Sequence, residues 1–129
     1  MKDIIHTTLA PTAIGPYSQA VRAGDFLFIS GQIAIDPSIG QLIESDIEGE
    51  THQVLKNLKA ILEAAGLTLQ HVVKCSVFIK DMNLFSRINA VYTLYFNADS
   101  PPARELVEVR DLPRSVQIEI SAIAYIHLS

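Results

Sequence analysis

Between residues 46 and 66 apolar side chains recur at helical spacing. Ile47, Val54, Leu55, Leu58, Ile61, Leu62 and Ala65 fall on one stripe. Asp46 stands where an N-cap belongs and Gly66 where a C′ glycine does, so the spacing predicts a helix from Asp46 to about Ala65. A second stripe, Leu84, Phe85, Ile88, Val91, Tyr92, Tyr95 and Phe96, predicts a helix from about Asn83 to Phe96. Elsewhere the period is two. Val72–Lys80 reads as a strand with Val73, Cys75, Val77 and Ile79 on one face and Lys74, Ser76 and Lys80 on the other. Ala103–Val109 and Val116–Tyr125 read as the last strands, Ile4–Thr7 as the first. Ser18–Arg22 and Phe26–Ser30 form a predicted hairpin across Ala23-Gly24-Asp25. Pro11, Gly15-Pro16, Pro37 and Gly40 mark turns.

Two amphipathic helices can cover only one face of such a sheet, which predicts an α+β fold with both helices on that face. In the last strand Val116, Ile118, Ile120, Ala122 and Ala124 point toward the helices. Gln117, Glu119 and Ser121 point the other way together with Ile123 and Tyr125, a mixture that reads as a subunit interface with polar groups set into it.

Composition narrows the function. The 129 residues fit one domain, 1–129. At 49% hydrophobic the chain is apolar enough to predict self-association. No apolar run approaches the ~20 residues of a membrane span, and the N-terminus lacks a signal-peptide core. One cysteine excludes an internal disulfide and makes a cytoplasmic home the default. The net charge of −4 and the lack of a basic footprint count against nucleic-acid binding. The four histidines lack metal-ligand spacing, and no Walker loop, G-x-G-x-x-G or G-x-S-x-G motif occurs.

What chemistry remains centres on Arg104 and Glu119. Alternation puts each on the polar face of a short strand; a fixed guanidinium near a fixed carboxylate points to a site that holds a small carboxylated molecule and activates water beside it. The alternatives are an ion pair of Arg104 with Glu108 or Glu119, and a solvated Glu119. Tyr17 either caps a pocket or fills an interface. Ser30-Gly31 brings backbone close to a ligand or serves a bulge. Asn89 donates to a ligand or ties down a loop. Cys75, on an apolar strand face, reads as a core thiol.

The chain resembles the RidA/YjgF family of enamine/imine deaminases across nearly its whole length and in order. The resemblance rests on 13–20 (AIGPYSQA), 30–33 (SGQI), 57–66 (NLKAILEAAG), 77–81 (VFIKD), 88–92 (INAVY), 102–104 (PAR) and 118–124 (IEISAIA). It implies a chorismate-mutase-like fold whose six-stranded sheet is mixed but mostly antiparallel. It also implies a homotrimer with clefts between subunits and no cofactor or metal. The implied reaction is hydrolysis of 2-imino acids, such as 2-iminopropanoate and 2-iminobutanoate, to 2-oxo acids and ammonia. In the same terms Arg104 matches the arginine that grips the substrate carboxylate and Glu119 the glutamate that positions water. Tyr17, Asn89, Ser30 and Gly31 match the pocket. Family members commonly read Pro-Ala-Arg-Ser-Cys where this chain has Glu105-Leu106 after Arg104; Leu106 is expected to narrow and dry the pocket, whereas Glu105 points to the opposite face. The segment 97–100 is shorter than in many members and is expected to reshape the pocket rim. A 2-oxo-acid-binding trimer without turnover and an endoribonuclease or translation inhibitor are the competing readings.

Overall fold

The structure, a computed structural model, describes residues 2–128. Its strands are β1 (Lys2–Ile5), β2 (Ala20–Ala23), β3 (Phe26–Gln32), β4 (Ile35–Asp36) and β5 (Gln41–Leu42), then helix α1 (Ile47–Ala64), β6 (Val72–Ile79), α2 (Phe85–Tyr95), β7 (Ala103–Glu108) and β8 (Ile118–Tyr125). Six strands form one sheet in the order β1-β2-β3-β8-β6-β7, and β4 with β5 makes a small separate ribbon. Only β6 and β7 pair in parallel. The expected mixed, mostly antiparallel α+β sheet with two helices is what the chain forms.

Both β3 and β6 run antiparallel to β8 between them, so they are parallel to each other. Each of the links β3–α1–β6 and β6–α2–β7 is therefore a crossover, and both step the same way along the sheet. Right-handed crossovers stepping in one direction place their helices on one face.

Helix α1 starts where Asp46 accepts from the Gly49 N–H at 2.9 Å. It ends in a Schellman motif: Leu67 N–H donates to Leu62 O, Gly66 N–H to Glu63 O, and Gly66 takes φ +76°. Its apolar stripe packs with Ile88, Val91 and Tyr92 of α2 over Leu27, Ile29, Cys75, Val77, Ile79, Ile118, Ile120, Ala122 and Ala124 of the sheet. The second helix begins later than its apolar stripe implied, because Asp81 caps a short 3-10 turn over Met82–Leu84 first.

Two irregularities depart from strict alternation. Val73 does not share the core face with Cys75: the β6–β8 register shifts between Val72 and Lys74, so Val72 is buried and Val73 faces out. The β3–β8 register shifts between Ile29 and Gln32, around Ser30-Gly31. The first hairpin strand lies later than predicted, at Ala20–Ala23, because residues up to Gln19 belong to a loop that Gln19 itself holds; the second starts at Phe26 as predicted and runs on to Gln32. The Gln19 amide donates to the carbonyls of Thr7 and Pro11 and accepts from Thr7 N–H.

The sheet face away from the helices is uncovered, and where β1, β2, β3 and the end of β8 meet it is apolar. Ile4, Val21, Phe28 and Ile123 lie in one cross-strand row, and Phe26 and Tyr125 in the next. Phe26 and Phe28 are 41% and 46% exposed. No helix of the described residues is long and apolar enough to cross a membrane.

Candidate active site

The predicted site residues fall into two groups, on opposite faces of the sheet. Arg104 is paired with Cys75, which in turn is paired with Ala122; all three point to the helix side. Glu119 is three residues from Ala122 along β8 and is paired with Phe78, so it points to the uncovered side. The expectation that both stand on polar strand faces therefore fails for Arg104. Edge strand β7 carries apolar and charged residues on both parities, and pairing with β6 decides that Arg104 turns inward. Within one chain the guanidinium and the carboxylate do not share a cleft.

The Arg104 group is built on α2. Phe85, Asn89 and Tyr92 stand at i, i+4 and i+7, one row along the helix. Arg104 Nη1 donates to Asn89 Oδ1 at 2.8 Å. Its guanidinium carbon lies 4.7 Å from the Tyr92 ring centre and 5.8 Å from that of Phe85. Among the described residues no carboxylate pairs with Arg104: Glu108 instead accepts from Met82 N–H, and Glu105 pairs with Lys74. Most of the guanidinium's five N–H donors therefore remain free for a planar anion. A cavity of about 360 Å³ opens beside it, walled by Tyr92, Thr93, Phe96, Ala98, Pro101 and Pro102. Asn89 thus neither ties down a loop nor waits for a ligand alone; it orients the arginine. Burial pushes the Cys75 thiol up, with Tyr92 and Arg104 acting the other way, and Cys75 is a core residue as expected. Leu106 packs against the core, across from Val77, rather than walling that cavity. Glu105 points away from Arg104, accepting from Ser76 Oγ.

The Glu119 group sits at the β3 bulge. A Cβ placed on Gly31 would lie 2.8 Å from Glu119 Cδ, so the glycine is what lets the carboxylate lie against the backbone. Gly31 thus serves the bulge, and what approaches its backbone here is the Glu119 side chain. Burial alone raises the Glu119 pKa above the usual glutamate value. Ser30 Oγ donates to Ser18 O at 2.6 Å and Ser30 N–H to Gln19 O at 2.9 Å, which docks the Tyr17 loop onto this strand. Tyr17 is half exposed; its hydroxyl accepts from Ile14 N–H at 3.4 Å.

Phe85 and Tyr92 had no place among the chemical candidates. Their signal was present in the stripe itself: an asparagine flanked at i−4 and i+3 by aromatic rings is a ready seat for a cation. A larger cavity of about 590 Å³ adjoins the one beside Arg104 across Phe96, Pro101 and Pro102, reaching His71, Tyr95, Tyr125 and His127. Its lining holds no Arg, Lys, Asp or Glu, so a carboxylate would find no permanent cation there.

Comparison with known proteins supplies the family. Residues 7–126 match the family described as Endoribonuclease L-PSP. A RutC family protein of Pyrococcus horikoshii is 58% identical, over 97% of this chain and 98% of that one. The YjgF gene product of E. coli superposes with a TM-score of 0.91 at 44% identity, covering 97% and 99% of the two chains. E. coli TdcF with bound serine superposes with a TM-score of 0.89 at 43% identity, covering 95% and 98%. The ordered motifs, the one-sided α+β sheet and these matches agree: the chain belongs to the RidA/YjgF family.

Proposed function

We propose that this protein hydrolyses 2-imino acids and their enamine tautomers to 2-oxo acids and ammonia, in sites formed between copies of the chain. The observation that carries the reading is the pairing of two half-sites: a guanidinium with no internal anion, and a desolvated carboxylate with a raised pKa. They face opposite sides of one sheet, so only two copies can bring them together. The uncovered apolar face supports such an assembly, and we take it to be a homotrimer. A carboxylate anchor also fits the relative crystallised with serine, an amino acid bearing one.

In this scheme the substrate carboxylate lies on the free N–H groups of Arg104. Water adds to the C=N carbon; Glu119 takes one of its protons and passes it to the nitrogen, giving an amino alcohol. Glu119 then takes the hydroxyl proton of the amino alcohol and hands it to the amine as the C–N bond breaks and C=O forms, so that ammonia departs and the carboxylate is restored. A raised carboxyl pKa suits a group that both takes and returns a proton near neutrality. No metal or cofactor is needed for this balance. Uncovered apolar surface and a net charge of −4 favour it over an endoribonuclease, which needs a cationic track for phosphates.

The test is hydrolysis of enzymatically generated 2-iminobutanoate in competition with semicarbazide. Wild type should outrun the trap; Arg104→Ala and Glu119→Ala should not. Mixing the two inactive variants after dissociation should restore about a quarter of the activity, the fraction of interfaces that random mixing gives one intact half from each side. No recovery would mean that both residues act from one subunit. Inactive wild type that still binds 2-oxobutanoate through Arg104 would mark a binding protein. RNA cleavage surviving Arg104→Ala with a steep salt dependence would favour the nuclease reading.

A further inference from the structure

From the α2 row we infer that Tyr92, seconded by Phe85, is a positioning residue for Arg104: its ring is the platform that holds the guanidinium ready for the substrate carboxylate. This rests on the assignment of Arg104 as the anchor. Three observations carry it. The guanidinium lies nearer the Tyr92 ring, at 4.7 Å, than that of Phe85, at 5.8 Å. Asn89, between the two rings on the helix, takes one N–H and so sets the rotation of the guanidinium plane. Tyr92 is itself only 6% exposed and stacks on Phe96 at 4.7 Å between ring centres, so the platform cannot swing away.

The hydroxyl of Tyr92 argues that the ring is the working part. It is buried beside Cys75 and, among the described residues, has no partner at hydrogen-bond geometry; burial raises its pKa strongly, so it stays a neutral phenol and offers a ligand no charge. A buried orphan hydroxyl gives nothing to stability. An aromatic ring there, by contrast, attracts a cation that would otherwise leave edge strand β7 for solvent. An arginine already held in place loses less freedom when the ligand binds, so the gain appears as affinity.

The experiment compares Tyr92→Phe, Tyr92→Leu and Phe85→Leu with wild type in two readouts. The first needs no ligand: NMR relaxation of the Arg104 Nε–H group, its signal identified by loss in Arg104→Lys. The second is KM and kcat for 2-iminobutanoate, with the dissociation constant for 2-oxobutanoate. Tyr92→Phe should keep both the order at Nε and KM to within about threefold. Tyr92→Leu should free the Nε group and raise KM and the dissociation constant roughly three- to thirtyfold, with kcat changed far less. Phe85→Leu, at a partly exposed position, should give a smaller effect in the same direction. Equal damage from Tyr92→Phe and Tyr92→Leu would overturn the proposal, because the hydroxyl would then be the working part. So would an ordered Nε in Tyr92→Leu. If wild type neither turns over nor binds, the functional reading fails while the Nε measurement still decides the platform.

Discussion

The two faces of this sheet carry similar numbers of large apolar side chains and use them differently. On the helix side Leu27, Cys75, Val77, Ile79, Ile118 and Ile120 are fully buried, and Arg104, which shares their face, is seated on rings and an amide. On the other side Phe26, Phe28 and Val107 stand in solvent beside a half-buried Glu119. One face is finished by its own chain; the other is left bare. The contrast teaches that hydrophobic patterning specifies where burial is wanted, while the source of the cover depends on how many helices the chain supplies.

Breaking each face should separate them. The largest effect is expected from Phe28→Lys, which puts a charge into the middle of the uncovered row. It should abolish assembly in sedimentation velocity and lower imine hydrolysis by about 100-fold or more. The monomer itself should lose no more than about 0.5 kcal/mol, as at an exposed site. An unchanged sedimentation coefficient would show the face to be plain surface. Next, Leu58→Ala removes a fully buried side chain from under α1 and should cost about 2–5 kcal/mol in chemical denaturation; a smaller loss would mean that the helix side can collapse.

Gly31→Ala sharpens the comparison at the carboxylate. The added methyl meets the far end of a flexible side chain, so Glu119 should swing aside at little cost in stability. Hydrolysis should fall about tenfold, the order of a displaced proton-transfer group. An unaltered rate would show that Glu119 works from another position. The smallest effect is a pH dependence. A raised Glu119 pKa means that the folded state binds the proton more tightly than the unfolded one, so stability declines as pH rises from the ordinary glutamate value through the raised one. Glu119→Gln should therefore be slightly more stable than wild type at pH 7, with the difference vanishing at pH 4 and below. Thermal unfolding at both pH values checks it; wild type being the more stable at pH 7 would reverse the sign.

Most of this was legible along the chain because it is local. Asp46 and Gly66 bounded α1 as cap chemistry requires, and the alternation of β8 from Ile118 to Tyr125 assigned both faces correctly. Cys75 was recognisable as core from its neighbours alone. Arg104 was harder. Its strand has Arg104, Leu106 and Glu108 on one parity and Ala103, Glu105 and Val107 on the other, so neither reads as inward. Val73 failed for a related reason: a bulge shifts parity without leaving any mark in composition.

The sequence by itself determined the main elements, the caps of α1 and, away from the bulges, the parity of side chains within each strand, since these depend on residues a few positions apart. Tertiary structure alone decided which parity of the edge strand turns inward. It also seated Arg104 between Phe85 and Tyr92 and laid the Glu119 carboxylate against Gly31. Those outcomes follow from pairing between strands distant in the chain, and backbone hydrogen bonds hold such pairing with little regard for which side chains it brings together.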